Sequence, residues 1–289
     1  LSSGGNRILD TNWRQIEETV DGALAEDSGW GDATTRAVIP ADLSGRGSLV
    51  VKGEGVLAGV EVARMVFQRF DPAVEVDIMI ADGGLVRPGD AVMGVEGPVT
   101  SILTAERVAL NFLQRLSGVA SETRRYVEAV RGFSCRIVDT RKTTPGLRLL
   151  EKLAVVAGGG CNHRFHLGDG VLIKDNHLAA LRARGMGLRE VVAKATERAL
   201  FTLRVEVEVG TAEEALEAVE GGADIVMLDN MRPDEMRRAV ELVGGRALLE
   251  ASGGITLENV REVAAVGVDL ISIGALTHSA RALDISLEM

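Results

Sequence analysis

Six clusters between residues 139 and 275 carry side chains suited to chemistry. They read Asp139-Thr-Arg-Lys142, Lys174-Asp-Asn-His177, Glu206-Val-Glu208, Asp229-Asn230, Glu250-Ala-Ser-Gly-Gly254 and Gly274-Ala275. Their charges are sorted along the chain. Residues 136–174 hold seven Lys or Arg against three acids, whereas residues 206–230 hold eight acids and no base. The first stretch suits an anion with several negative charges; the second suits hydroxyls or a divalent cation. Glu206 and Glu208 share a strand face by the period of two, and with Asp229 they are the inward candidates. Glu213, Glu214, Glu217 and Glu220 fall on a helix as surface charge. Ser252-Gly-Gly254 and Gly274-Ala275 could present main-chain N–H groups to a phosphate. Three of the four histidines (His163, His166, His177) fall in or just after the basic stretch, with spacing unsuited to structural zinc.

The elements that must position these groups follow from the apolar pattern. Short strand cores are expected at Arg136–Val138, Val171–Ile173, Arg204–Val209, Asp224–Leu228, Ala247–Leu249 and Asp269–Ile273. The four centres from Val205 to Leu270 recur every 20 to 23 residues, the length of one βα unit. Thr211-x-x-Glu214 fits a capping box, Pro233 suits a first helical turn, Thr256 can cap a further helix, and glycines at 221–222, 244–245 and 267 close these helices. Each cluster above therefore sits at a strand's C-terminal end, where a (β/α) barrel keeps its working residues. A flat doubly wound sheet also fits the spacing. Residues 32–99 differ, with strands expected at Ser48–Val51, Val74–Ile80 and Ala91–Val95 around a helix at Val60–Phe70, which reads as a small α+β domain. A helix is expected near Trp13–Ala25. Thr104–Leu116 reads as another, interrupted at Ser117-Gly118 before one running to about Val130. Arg107 would then lie in a first helical turn, where the macrodipole disfavours a cation.

Composition narrows the class. The 289 residues are 46% hydrophobic and carry a net charge of −10, which supports a sizeable core and argues against non-specific grip on nucleic acid. Only 9 aromatics are present, too few for base-stacking platforms. No apolar run approaches the ~20 residues of a bilayer span, and Leu1–Asp10 lacks a signal-peptide pattern. Leu1–Gly5 reads as a loose terminus. Cys135 and Cys161 form no CxxC motif, and no GxxxxGKS or GxGxxG precedes a helix. The expectation is a cytoplasmic protein that neither binds nucleic acid nor enters a membrane.

The sequence resembles the quinolinate phosphoribosyltransferases, the carboxylating nicotinate-nucleotide pyrophosphorylases. The resemblance is carried by Asp139-Thr-Arg-Lys-Thr-Thr-Pro-Gly-Leu-Arg148, Gly158-Gly-Gly-Cys-Asn-His-Arg164, Leu172-Ile-Lys-Asp-Asn-His177, Glu206-Val-Glu-Val209, Met227-Leu-Asp-Asn230, Glu250-Ala-Ser-Gly-Gly-Ile255 and Gly274-Ala-Leu-Thr-His278. Gly31-Asp-Ala-Thr-Thr35, Gly55-Val-Leu-Ala-Gly59 and Leu103-Thr-Ala-Glu-Arg-Val-Ala-Leu-Asn111 extend it towards the amino terminus. It implies an α/β fold: an amino-terminal α/β sandwich domain (1–116), a carboxy-terminal incomplete (β/α) barrel with the active site (117–276), and a tail (277–289) packing back toward the first domain. It implies transfer of phosphoribosyl from phosphoribosyl pyrophosphate to quinolinate with Mg²⁺, giving nicotinate mononucleotide, pyrophosphate and CO₂ in de novo NAD synthesis.

By the same resemblance, Arg141, His163, Arg164 and Lys174 hold the quinolinate carboxylates, and Arg107 reaches in from the partner of a homodimer. Lys142 sits near both substrates and Thr140 joins the substrate-binding set. Glu208 and Asp229 face the ribose hydroxyls and Mg²⁺, directly or through water. The main chain of Ser252, Gly253 and Gly254 and of Ile273, Gly274 and Ala275 receives the 5′-phosphate. Phe165-His166 departs from the Leu-Gly usual in the family, and Leu153 stands where Tyr is common. Two rival readings remain: a phosphate-barrel aldolase or isomerase with Lys174 as Schiff-base amine, and a non-catalytic protein that binds a phosphorylated metabolite.

Overall fold

The computed structural model describes residues 6–289, so the loose terminus expected at residues 1–5 lies outside the described residues. The chain forms two compact units that interleave in sequence. Of the described residues, one holds 6–124, 143–159 and 275–289, and the other 125–142 and 160–274.

In the first unit, helices α1 (Asn6–Ser28) and α2 (Ala33–Val38) lead into β1 (Ser44–Val51), β2 (Gly55–Val56), α3 (Val60–Phe70), β3 (Glu75–Ile78), β4 (Leu85–Val86) and β5 (Ala91–Pro98). Asp32 caps α2 by accepting the Thr35 N–H at 2.9 Å. α3 presents Val62, Ala63, Val66 and Phe67 to the core at helical spacing. β1 and β5 pair antiparallel at the centre of a four-stranded sheet, with β3 beyond β5, while β2 pairs with β4.

Helix α4 (Val99–Ala129) runs unbroken for 31 residues, through the Ser117-Gly118 position expected to interrupt it. Both residues serve packing instead. The Ser117 hydroxyl accepts the Ala58 N–H at 3.0 Å, and a Cβ on Gly118 would collide with the Arg281 carbonyl. Because α4 begins at Val99, Arg107 lies well inside it, and the macrodipole argument for a first-turn cation does not apply. Gln114 on α4 accepts the Leu283 N–H through its carbonyl at 3.0 Å and donates its side-chain amide to the Ile285 carbonyl at 2.6 Å. These bonds lead the tail into a last strand, Ile285–Glu288, that adds to β1 antiparallel.

The first strand of the second unit is β6 (Arg136–Val138). The helix that follows in sequence, α5 (Arg148–Ala157), belongs to the first unit. There Glu151 is fully buried and takes the Arg115 guanidinium at 2.7 Å, the Thr144 N–H at 3.0 Å and the Thr144 hydroxyl at 2.8 Å. The second unit resumes with β7 (Val171–Ile173), α6 (Asp175–Arg182), α7 (Leu188–Arg198), β8 (Val205–Val209), α8 (Ala212–Glu220), β9 (Ile225–Asp229), α9 (Pro233–Val243), β10 (Leu248–Ser252), α10 (Val260–Ala264) and β11 (Leu270–Ser272). Its six strands are all parallel, in the order β6-β11-β10-β9-β8-β7. A parallel bridge from Val138 to Cys161 continues the ladder past β6. This is the incomplete barrel expected.

Thr211 caps α8 by accepting the Glu214 N–H at 3.1 Å, Pro233 opens α9, and Gly244 closes it in the left-handed region. Thr256 does not cap as expected. The helix starts later, at Val260, with Asn259 at its N-cap position, and spans five residues. No described helix is long and apolar enough to cross a membrane.

Candidate active site

The C-terminal ends of the second unit's strands surround a cavity of about 560 Å³. β6 delivers Thr140, Arg141 and Lys142 to it, the segment after Cys161 delivers His163 and Arg164, and β7 delivers Lys174. The acidic side comes from Glu208 on β8 and Asp229 on β9, and Ser252, Gly253 and Gly254 follow β10. Eleven of the residues singled out from sequence are thus brought together. Ile273, Gly274 and Ala275 do not line the cavity, and Arg107 is exposed on α4 in the other unit.

The electrostatics follow the sorting seen in sequence. Burial and the neighbouring Arg141 charge both lower the Arg164 pKa, so two guanidinium groups crowd one end before any anion arrives. At the other end, burial raises the Glu208 carboxyl and the Asp229 charge raises it further. Lys174 Nζ lies 3.8 Å from Glu208 Oε2, where the two sides meet. That ammonium is half-exposed and faces a carboxylate, unlike the desolvated lysine that Schiff-base chemistry requires.

The glycine pair after β10 is built for its conformation. Gly253 has φ +86° and Gly254 φ +62°, and a Cβ on Gly253 would collide with the Asn230 side-chain amide. Asn230 itself has φ +52°, donates its main-chain N–H to the Ser252 carbonyl at 2.9 Å and its amide to Asp229 Oδ2 at 2.7 Å. It ties the acidic strand end to the glycine turn. Its signal in sequence was the Asp-Asn pair, quoted without a role.

His163 lines the cavity and is also held from within the chain. Its Nε2 lies 3.1 Å from Glu206 and 3.4 Å from Glu250, and its Nδ1 accepts the Arg164 N–H at 2.8 Å. Burial and the Nδ1 bond from Arg164 work against an imidazolium, while hydrogen bonds and charge from the two carboxylates favour one and raise the ring. A second proton, on Nδ1, would have to open the bond to Arg164. Glu206 is raised, first by burial and then by the Glu250 charge, against the His163 hydrogen bond. Glu250, quoted among the strand-end clusters without a role, lines the cavity, as does Ser272, which fell inside the strand expected at Asp269–Ile273 and was not singled out.

Comparison with known proteins places the chain in a family. The model of the quinolinate phosphoribosyl transferase N-terminal domain matches residues 32–117, and that of its C-terminal domain matches residues 119–288. A Bacillus subtilis protein named probable nicotinate-nucleotide pyrophosphorylase (carboxylating) is 41% identical over 278 residues, covering 96% of this chain and 94% of its own length. A protein of the same name from Archaeoglobus fulgidus is 46% identical over 255 residues, covering 83% of this chain and 93% of its own. The crystal structure of NadC from Streptococcus pyogenes superposes with a TM-score of 0.91 at 43% identity, covering 96% of this chain and 97% of the other. Adjacent matches to both domain models and relatives above 40% identity over nearly the whole chain show that it belongs to the quinolinate phosphoribosyltransferase family.

Proposed function

We propose that this protein transfers phosphoribosyl from phosphoribosyl pyrophosphate to quinolinate, releasing pyrophosphate and CO₂ and forming nicotinate mononucleotide for de novo NAD synthesis. One observation carries the reading: a single cavity holds Arg141, Lys142, Arg164 and Lys174 on one side, and Glu208, Asp229 and a glycine cradle on the other. Two polyanions meet only where fixed cations offset their repulsion, and this rim supplies them. Arg141, Arg164 and Lys174 hold the two carboxylates, and Thr140 and Lys142 stand between quinolinate and the diphosphate. The Ser252–Gly254 main chain receives the 5′-phosphate, with the Ile273–Ala275 main chain supporting it from the next strand end. Glu208 and Asp229 face the ribose, where their charge stabilises the oxocarbenium-like C1 as the bond to pyrophosphate breaks.

Mg²⁺ fits the same pair of carboxylates. The two acids are close enough for Asp229 to raise Glu208, and a divalent cation, held directly or through water, would relieve that repulsion. When bound, it supplies charge neutralisation for the leaving pyrophosphate.

The functional assembly is a homodimer in which Arg107 acts on the partner's substrate, a role supported by its exposure on α4 and its absence from this chain's cavity. Arg107→Ala and Arg141→Ala are each expected to be nearly inactive. Mixed with subunit exchange, they should recover roughly a quarter of wild-type activity, because a two-fold heterodimer keeps one intact site. No recovery despite demonstrated exchange contradicts the shared site. The activity itself is tested by release of pyrophosphate and nicotinate mononucleotide, with and without Mg²⁺. Folded protein at saturating substrates that turns over no faster than Lys142→Ala refutes it.

A further inference from the structure

We propose that Glu206 and Glu250 are positioning residues of the substrate cavity: from β8 and β10 they face Nε2 of His163, Glu206 taking its proton and Glu250 adding its charge, and they thereby fix the segment that carries Arg164. The proposal rests on the transferase reading above and assigns these two carboxylates a role in quinolinate binding.

The argument begins with an open seam. β6 and β7 end the ladder, and residues 161–170 run between them with one main-chain bridge, at Cys161. His163 and Arg164 line the rim cavity and also a second cavity of about 420 Å³, lined by Arg136, Val171, Arg204 and Leu270 at strand starts. The segment is therefore a partition with open space on both faces. Packing alone holds such a wall poorly, since a void supplies no contact atoms.

Buried carboxylates hold it instead. Asp139, fully buried, accepts the His163 N–H at 2.8 Å and the Asn162 amide at 2.7 Å. From the other direction His163 Nε2 faces Glu206 Oε2 at 3.1 Å and, further off, the Glu250 carboxylate at 3.4 Å. The ring then passes the constraint on, because Nδ1 accepts the Arg164 N–H at 2.8 Å, and the Arg164 guanidinium is tied to the Gly170 carbonyl at 3.0 Å. With both nitrogens engaged inside the chain, His163 acts on the substrate through Arg164.

Glu250 is fully buried, and neither of its oxygens has a hydrogen bond of good geometry, so His163 is its compensating neighbour. A carboxylate placed at that cost beneath a binding cavity points to a role that a neutral residue would not fill. The same three side chains could also hold a metal ion. The ring disfavours it. A metal on Nε2 calls for an Nδ1 that donates a proton, whereas this Nδ1 accepts one from the main chain.

The test compares wild type, Glu206→Gln and Glu250→Gln by steady-state kinetics and by ¹⁵N NMR of histidine-labelled protein. Each variant should raise the quinolinate KM at least tenfold, leave the phosphoribosyl pyrophosphate KM within twofold, and speed exchange of the His163 Nε2 proton. His163→Gln, whose amide reaches the Nε2 position, should bind quinolinate at least fivefold better than His163→Ala, which covers the case that a buried Gln prevents folding. The NMR arm needs no turnover, so an inactive wild type would fail the transferase reading while still testing the grip on His163. Equal rises in both KM values, an Nε2 without a proton, a stoichiometric metal lost on Glu250→Gln, or equal defects in the two His163 variants would each overturn the proposal.

Discussion

Removing the 2-carboxylate of the substrate asks directly what the crowded cations are for. Nicotinate keeps the ring and the 3-carboxylate of quinolinate and lacks its neighbour. In the cavity, Arg141, Arg164 and Lys174 exceed what one carboxylate can satisfy, and Arg141 already depresses Arg164. The lost carboxylate forfeits about two charge-assisted hydrogen bonds, each worth about 1.5–3 kcal/mol. Lys174 is 49% exposed, so water restores part of this, and the low end applies: about 3 kcal/mol, or roughly a hundredfold in kcat/KM. The assay measures kcat/KM for quinolinate and for nicotinate at equal, saturating phosphoribosyl pyrophosphate. A preference of a hundredfold or more is expected. A ratio within tenfold would show that the cluster does not select the dianion, and the charge-matching argument would fall.

Three further outcomes follow from other parts of the fold. Arg115→Met should destabilise the first unit by about 3–5 kcal/mol, because it strands the fully buried Glu151 carboxylate; urea unfolding reads it, and Arg115→Met with Glu151→Met should recover much of the loss. Gly253→Ala should raise the phosphoribosyl pyrophosphate KM more than Gly254→Ala, since both have positive φ but only the first Cβ meets Asn230; steady-state kinetics compares them. Burial raises the Asp82 carboxyl despite the N–H groups it accepts from Val60 and Gly59. For an acid raised in the folded state, stability falls as pH climbs from the unfolded value through the folded one. Asp82→Asn, which keeps an acceptor for Val60, should therefore match or exceed wild type in urea unfolding at pH 7 and lose that advantage near pH 4.

The rim was readable in sequence because parallel strands end in charge and the βα spacing is regular. β6 and β7 fall at the residues expected, and Thr140–Lys142, Lys174, Glu208, Asp229 and Ser252–Gly254 converge as the strand-end rule requires. What escaped was set by long-range packing. Ser117-Gly118 reads as a break by local propensity, yet the glycine is there so that the chain near Arg281 can pass close to α4. Residues 143–159 continue a barrel motif in sequence but join the first unit, where Glu151 meets Arg115, a partner 36 positions away. Glu250 is legible as a strand-end charge, but nothing short of the fold places it beside His163.

The central claim is that one cavity joins phosphoribosyl transfer to decarboxylation, in that order. Ribosylation makes the ring nitrogen cationic, and only then does loss of CO₂ leave a carbanion beside positive charge. Quinolinate labelled in its 2-carboxylate measures this, with CO₂ and pyrophosphate followed together in the presence of Mg²⁺. Equal amounts of both are expected, and no CO₂ in the absence of phosphoribosyl pyrophosphate. Labelled CO₂ released from quinolinate alone, or pyrophosphate released without CO₂, would contradict the account.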